Sequence, residues 1–242
     1  MFFNREGNDF HFVVTGGAGS LGRAVVRLLL DSGARCSVPC YSREELDRFE
    51  LAEEEDVWCE AEVDLADESH TRDFFKNAVR EHGDLWGSVH IAGGFGMGSI
   101  EDTHSEAFMK QIHLNTLTCY NSCRTAVEWM RKSEKKEGRI VNVAARPAKE
   151  PRQGAGMTAY TVSKAGVAAL TESLAAELVE ENILINAVAP SVIDTPANRK
   201  AMPDADYEKW PKPEESASQI VYLASPLNRV TRGSVVPVYG KS

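Results

Sequence analysis

Phe12-Val13-Val14-Thr15-Gly16-Gly17-Ala18-Gly19-Ser20-Leu21-Gly22 is the stretch that decides the fold. Phe12, Val13 and Val14 read as a short buried strand running into a glycine-rich turn, and Ala24, Val25, Leu28 and Leu29 then repeat at helical spacing. A strand, such a turn and a helix in that order outline a nucleotide cradle. The glycines let the backbone approach a pyrophosphate, and the helix N-terminus offers unpaired N–H groups and the positive end of a dipole. Gly16, Gly17, Gly19, Ser20, Leu21 and Gly22 are the candidate contacts. A turn of this composition can also join any strand to any helix, so the reading depends on the remainder of the chain.

Beyond the turn, strand-like and helical runs alternate to the C-terminus, as one doubly wound parallel sheet with helices on both faces requires. The 242 residues, 43% hydrophobic, suffice for one Rossmann-type α/β domain spanning 1–242, without repeats or low-complexity tracts. A formal net charge of -9 disfavours nucleic acid or an anionic membrane as a general partner. Met1-Phe2-Phe3-Asn4-Arg5-Glu6 lacks the apolar core of a secretory leader, and no run reaches membrane-spanning length, so a cytoplasmic location is expected. Five cysteines without Cys-x-x-Cys suggest reduced thiols rather than a disulfide framework or a zinc site, and no metal is expected. Cys119 and Cys123 share a helix face and read as core or interface. The charged run from Arg131 to Arg139 reads as a solvated helix end and turn. The segment 195–213, with four prolines and Trp210, is the expected mobile stretch.

Tyr160 and Lys164 stand four residues apart in Tyr-Thr-Val-Ser-Lys and therefore share one helix face. A fixed ammonium beside a phenol lowers its pKa from about 10 toward neutrality, which suits the phenol to proton transfer during chemistry on a carbonyl or imine. The spacing alone also fits an ordinary solvated helix.

Taken together, Thr15-Gly16-x-x-x-Ser20-x-Gly22 and Tyr160-x-x-x-Lys164 resemble the short-chain dehydrogenase/reductase family, over nearly the whole chain from Phe12 to Gly240. The resemblance implies a nicotinamide cofactor, a small-molecule substrate and further site residues. Asp64 and Leu65 stand where the family contacts the adenine ring, and Ala92, Gly93 and Gly94 end a strand in the place of its Asn-Asn-Ala-Gly. Asn115 occupies the place of the active-site asparagine, implied to hold a water that links Lys164 to solvent. Pro190, Ile193 and Thr195, within Asn186 to Pro196, resemble the segment that holds the nicotinamide carboxamide. The segment 195–213 would cover the substrate, and Lys164 would also bond the nicotinamide ribose.

The departures are informative. Ser20 replaces the middle glycine of the turn, and His90 and Ile91 replace paired asparagines. Where the family places a catalytic serine, after Ile140-Val141-Asn142-Val143, the chain reads Ala144-Ala145-Arg146. An alanine cannot polarise a ketone, so Arg146, Thr158 or a water must substitute or the substrate must need no such help. The dihydropteridine reductases, one branch of the family, resemble this arrangement. The likeness includes Phe95 after Ala92-Gly93-Gly94 and the run from Asp194 to Asp206, with Met202 inside it and Trp210 beyond. Phe95, Ala145, Arg146, Met202 and Trp210 are accordingly the candidate substrate residues. A quinonoid dihydropterin is electron-poor and needs a proton donor more than an oxyanion stabiliser. An unrelated carbonyl or quinone substrate, and a dinucleotide-binding redox sensor without chemistry, are the competing readings.

After the second strand, Cys40-Tyr41-Ser42-Arg43 offers no carboxylate for a ribose hydroxyl, whereas Ser42 and Arg43 suit a 2′-phosphate, with Tyr41 beside them. NADP(H) is favoured and NAD(H) is possible. Ser42 with Glu45 is equally a helix capping box, and Glu44 and Glu45 would repel a phosphate. The helix expected from Thr158 to Glu180 carries Ala165, Gly166, Ala168, Ala169, Ala175 and Ala176, small enough for close pairing with a second subunit. A homodimer or homotetramer is expected, although the same residues suit close packing within one chain.

Overall fold

The structure, a computed structural model, describes residues 10–242. Met1 to Glu6, on which the expected lack of a secretory leader rests, lie outside the described residues. The Val-rich opening forms β1 (His11–Thr15), followed by α1 (Ser20–Asp31) and β2 (Arg35–Pro39). Short α2 (Arg43–Asp47) leads to β3 (Val57–Glu60), and α3 (Glu68–His82) crosses back to β4 (Leu85–His90). Asp67 starts α3 by accepting from the amides of Ser69 and His70, as a side-chain N-cap does.

The second half repeats the pattern. α4 (Ser105–Gln111) passes through a π-helical turn (Ile112–Leu117) into α5 (Thr118–Lys132), and β5 (Glu137–Val143) follows. A one-turn α6 (Arg146–Lys149) precedes α7 (Thr158–Glu177), β6 (Asn182–Pro190), α8 (Pro196–Ala201), α9 (Pro213–Ala224) and β7 (Val235–Val238). The seven parallel strands lie in the order β3-β2-β1-β4-β5-β6-β7. This is the doubly wound sheet expected from the alternation.

Successive residues of β1 feed opposite faces. Val14 joins Leu29, Val141 and Ile220 under α1 and α9, whereas Val13 joins Phe74, Met130, Ile140 and Ile185 under α3, α5 and α7. Strands buried on both faces explain their near-continuous apolar character. The strand order reverses between β1 and β4, and such a reversal opens a crevice beyond the carboxyl ends of the strands.

The run Arg131 to Arg139 is not solvated throughout, because the strand begins at Glu137 and Arg139 is buried within it. Its guanidinium donates to the carbonyls of Asn228 and Gly138 at 3.0 and 2.8 Å and lies over Trp86. Two carbonyls and a ring satisfy the buried guanidinium, and two of these partners, Asn228 and Trp86, are remote in the sequence.

Candidate active site

The glycine turn sits at the mouth of that crevice. Gly16 has φ +68°, and a Cβ there would lie 2.7 Å from the Ala92 amide nitrogen. A Cβ on Gly22 would collide with the Gly16 carbonyl oxygen, so only glycine lets α1 start against the turn. Arg23 makes the first helical hydrogen bond, to Gly19. The amides of Ser20, Leu21 and Gly22 therefore have no helical acceptor and are free for an anion. Ser20 is tolerated because it stands at the exposed first position of the helix.

These residues border a cavity of about 810 Å³, which Tyr41, Asp64, Leu65, Ala92 and Gly93 also line. Its size, its backbone donors and the cradle that added side chains would fill fit a dinucleotide. Glu45, Met109, Lys110, His113 and Thr118 line it as well; of these, only Glu45 was singled out from sequence, as an acid that would repel phosphate. The other four project from α4, the turn after it and the start of α5, where helical spacing alone marks no cavity face.

Ser42 and Arg43 do not line the cavity. Ser42 caps α2 by accepting from the Glu45 amide at 3.3 Å, and the Glu45 carboxylate accepts from the Tyr41 amide at 2.7 Å rather than closing the box on Ser42. Arg43 pairs with Asp47 at 3.1 Å on the surface. Its amide donates to Glu62.

Across the crevice, α7 places Tyr160 and Lys164 one turn apart. Lys164 is buried and donates to the Val143 carbonyl at 2.8 Å. Burial pulls its pKa down to about 8, partly offset by nearby Cys119. Burial pushes the Tyr160 phenol up to about 12. The expected lowering of the phenol is therefore not what this geometry produces: burial alone shifts it, and upward. Phe95 lies edge-on to Tyr160, with ring centroids 5.0 Å apart.

Asn115 occupies the π-helical turn and is almost fully buried. Its amide donates to the carbonyl of Gly94 at 2.9 Å, to Gln111 at 3.2 Å and to Ser163 at 3.1 Å, and its oxygen accepts from the Gly94 amide at 3.1 Å. Asn115 thus ties the end of β4 to α7. A Cβ on Gly93 would strike the Asn115 oxygen and come within 3.4 Å of the Lys164 nitrogen, which fixes how closely these three groups sit. Gln111, missed in the sequence, is readable afterwards as a polar residue one turn before Asn115.

Ala145 is buried and brings no hydroxyl. Arg146 is held by Glu150 at 2.9 Å and lies over the Tyr239 ring. Thr195 caps α8, accepting from Asn198 at 3.2 Å, while the Ile193 carbonyl accepts from the Asn198 side chain and Pro190 closes β6. The segment 195–213 is partly helical: Asp194 clamps Arg199 through two hydrogen bonds of 2.6 and 2.8 Å, and Arg199 lies over Tyr207. Met202 is exposed. Trp210 is buried, with its ring 5.0 Å from that of Tyr207, and anchors the segment.

A doubly wound sheet with a glycine cradle at the reversal of strand order and a Tyr-Lys pair across from it defines a dinucleotide-dependent oxidoreductase. The chain belongs to the short-chain dehydrogenase family, whose profile, described as short chain dehydrogenase, matches residues 11–206. It is 29% identical over 240 residues to the 3-oxoacyl-(acyl-carrier-protein) reductase FabG of Thermotoga maritima, covering 94% of this chain and 95% of that one. It is also 29% identical over 240 residues to the galactitol 2-dehydrogenase of Rhizobium johnstonii, covering 93% and 92%. Among solved structures, it superposes with a TM-score of 0.86 on an NADPH-bound short-chain oxidoreductase of Pseudomonas aeruginosa PAO1 described as containing an atypical catalytic centre. That match has 25% identity and covers 96% of this chain and 97% of the other. Among the described residues, no helix is long and apolar enough to cross a membrane.

Proposed function

We propose that this oxidoreductase reduces a small electrophilic C=N or C=O group with Tyr160 as the proton donor, and that the acceptor is quinonoid, a dihydropterin first among candidates. The observation that carries this reading is the pairing of a proton-holding phenol with an alanine in place of the hydroxyl. A phenol pushed up to about 12 keeps its proton at neutral pH, so Tyr160 enters the reaction in its acid form, a weaker acid than free tyrosine. Ala145 cannot bond a carbonyl oxygen, which suits an acceptor that is already electron-poor. Lys164, anchored on Val143, sets the charge behind the phenol, and Asn115 holds the adjoining backbone in place. The turn from Gly16 to Gly22 would hold the phosphates of a nicotinamide dinucleotide, and Asp64 and Leu65 its adenine end; that group would supply the hydride. Pro190, Ile193 and Thr195 lie at the nicotinamide end in this reading, with 195–213 over the substrate.

NADP(H) remains the favoured form. The exposed Arg43–Asp47 pair is worth under about 1 kcal/mol, so Arg43 can leave it for a 2′-phosphate. The NADPH bound by the Pseudomonas relative supports this choice. Five free cysteines suit a reducing cytoplasm. A homodimer or homotetramer through the outer face of α7 is supported by exposed Val162, Ala169 and Ala176, although Gly166 already packs against Thr116 within the chain. Light scattering at micromolar concentration tests assembly, and a mass near 26.6 kDa would exclude it.

Oxidation of NADPH and NADH against quinonoid dihydropterin, simple quinones, simple ketones and a 3-oxoacyl thioester tests the reaction. A kcat/KM at least tenfold higher for the dihydropterin than for the ketones is expected. Preference for the thioester or the ketones, in keeping with the names of the relatives, would replace the substrate assignment. Cofactor binding without turnover of any acceptor would leave the redox-sensor reading, which the loss of the hydroxyl favours.

A further inference from the structure

Behind Lys164, three elements bring soft and borderline donors to one buried point. His90 ends β4, Asn142 lies opposite it on β5, and Cys119 and Cys123 stand one turn apart on α5 over the same face of the sheet. The ligating atoms of His90, Cys119 and Cys123 all lie within 4.8 Å of one another, and all three side chains are buried. Cys123 Sγ is 3.4 Å from His90 Nδ1 and 3.4 Å from Asn142 Oδ1. Among the described residues no other group of three His, Cys, Asp or Glu side chains converges in this way.

The surroundings hold these donors in place. The Thr171 hydroxyl donates to the Val167 carbonyl at 2.8 Å, so it accepts from the Asn142 amide at 2.9 Å, which turns Asn142 Oδ1 toward His90 at 2.8 Å. On the other side of the ring, His90 Nε2 lies 2.7 Å from Ser88 Oγ, able to donate there once Nδ1 is a ligand. We propose that His90, Cys119 and Cys123, with Asn142 Oδ1 as a fourth donor, form a binding site for a thiophilic divalent cation, zinc above all.

Distances support tetrahedral coordination. Zn–S and Zn–N bonds of about 2.3 and 2.0 Å put tetrahedral sulfur and nitrogen roughly 3.5 Å apart, near the 3.4 Å between Cys123 and His90. Binding requires His90 and Asn142 to part by about half an ångström and Cys119 to close in, small moves for side chains. Two thiol protons and the Nδ1 proton leave, the latter offset by protonation of Nε2 toward Ser88, so two protons are released per ion. A packing role for the two cysteines alone requires neither the histidine nor the oriented amide. The sequence hides the site because its donors come from β4, β5 and α5, and only Cys119 and Cys123 are near one another in the chain.

Cobalt(II) titration of the reduced full-length protein tests the proposal without reference to enzymatic activity. One equivalent per chain is expected to produce thiolate-to-cobalt charge-transfer absorption and tetrahedral d–d bands, both displaced by zinc, and zinc should raise the melting temperature. Cys119→Ser and Cys123→Ser should lose these bands, His90→Asn should weaken them, and Ser88→Ala should lower cobalt affinity about 10–100-fold. Cys40→Ala and Cys59→Ala should leave them intact. If a serine variant fails to fold, Cys119→Ala, which suits the apolar surroundings, takes its place. A folded wild-type protein without the bands, or bands that persist in folded Cys119 and Cys123 variants, would overturn the site.

Discussion

The two sides of the crevice are built from different materials. On the β1 side, Gly16 and Gly22 shape the cleft by lacking side chains, and the donors are backbone amides at the start of α1. On the α7 side, the proposed chemistry rests on side chains whose properties come from distant partners: Lys164 from the Val143 carbonyl, Asn115 from Gly94 and Ser163, and Tyr160 from the burial around it. A backbone site accepts or rejects a residue by volume. A side-chain site responds to charge and protonation, and a methyl group can stand there in place of a hydroxymethyl group, as at Ala145.

The sharpest test of that contrast is Tyr160→Phe. Turnover should fall by about 10²–10⁴-fold while cofactor affinity stays near wild type. Turnover within a few-fold of wild type would remove Tyr160 from the chemistry and erase the distinction between the two sides.

Lys164→Met should separate stability from activity. The lysine's pKa, lowered from 10.5 to about 8 by burial, implies about 3 kcal/mol of destabilisation while the charged form is held in the folded chain. Between about pH 8 and 10.5 the unfolded chain binds the additional proton, so wild-type stability rises with pH across that window. Denaturation of Lys164→Met should therefore show its full gain below about pH 8 and lose it above about 10.5, with turnover reduced throughout. A wild-type kcat that falls as pH rises through about 8 would assign the ammonium a part in catalysis.

Ala145→Ser should raise activity on ordinary ketones more than on a quinonoid acceptor, by at most the ~1.5–3 kcal/mol of a hydrogen bond to developing charge. An equal effect on both acceptor classes would show that another group already fills this place.

On the backbone side, Gly22→Ala should cost about 1–3 kcal/mol of stability and weaken dinucleotide binding, because the new Cβ overlaps the Gly16 carbonyl. Gly19→Ala, whose Cβ would meet that oxygen at an ordinary 3.4 Å, should preserve the fold. Equal melting temperatures for the two variants would show that the turn can shift. The smallest effect is expected from Glu45→Gln, which removes a charge from the cavity wall and should favour NADPH over NADH by a few-fold. An unchanged ratio of dissociation constants would separate Glu45 from cofactor choice.

These two materials also explain what the sequence disclosed. Val13, Val14 and the glycines gave β1, the turn and α1 because each residue's local requirement matches its place in the sheet. Tyr160, Lys164 and Asn115 were identifiable as types, but not the raised phenol, which follows from surroundings assembled across the chain. Ser42 and Glu45 showed a helix start, yet only the structure revealed that Glu45 bonds the Tyr41 amide and faces the cavity. Arg139 looked like part of a solvated run because Trp86 and Asn228 are far away in sequence. The burial of Trp210 beside Tyr207 is likewise not readable from composition.

The π-helical turn at Ile112–Leu117 lets α4 and α5 differ in rotational phase while remaining one continuous rod. Each α-helical residue advances the chain by about 100°. Deleting one residue within this turn would therefore rotate α4 and α5 relative to each other by about a quarter of a revolution, either taking the cavity-lining face of α4 away from the dinucleotide or swinging Cys119 and Cys123 off the sheet. The wider turn acts as a gear between two surfaces, and a length-preserving substitution there is a gentler change than any deletion.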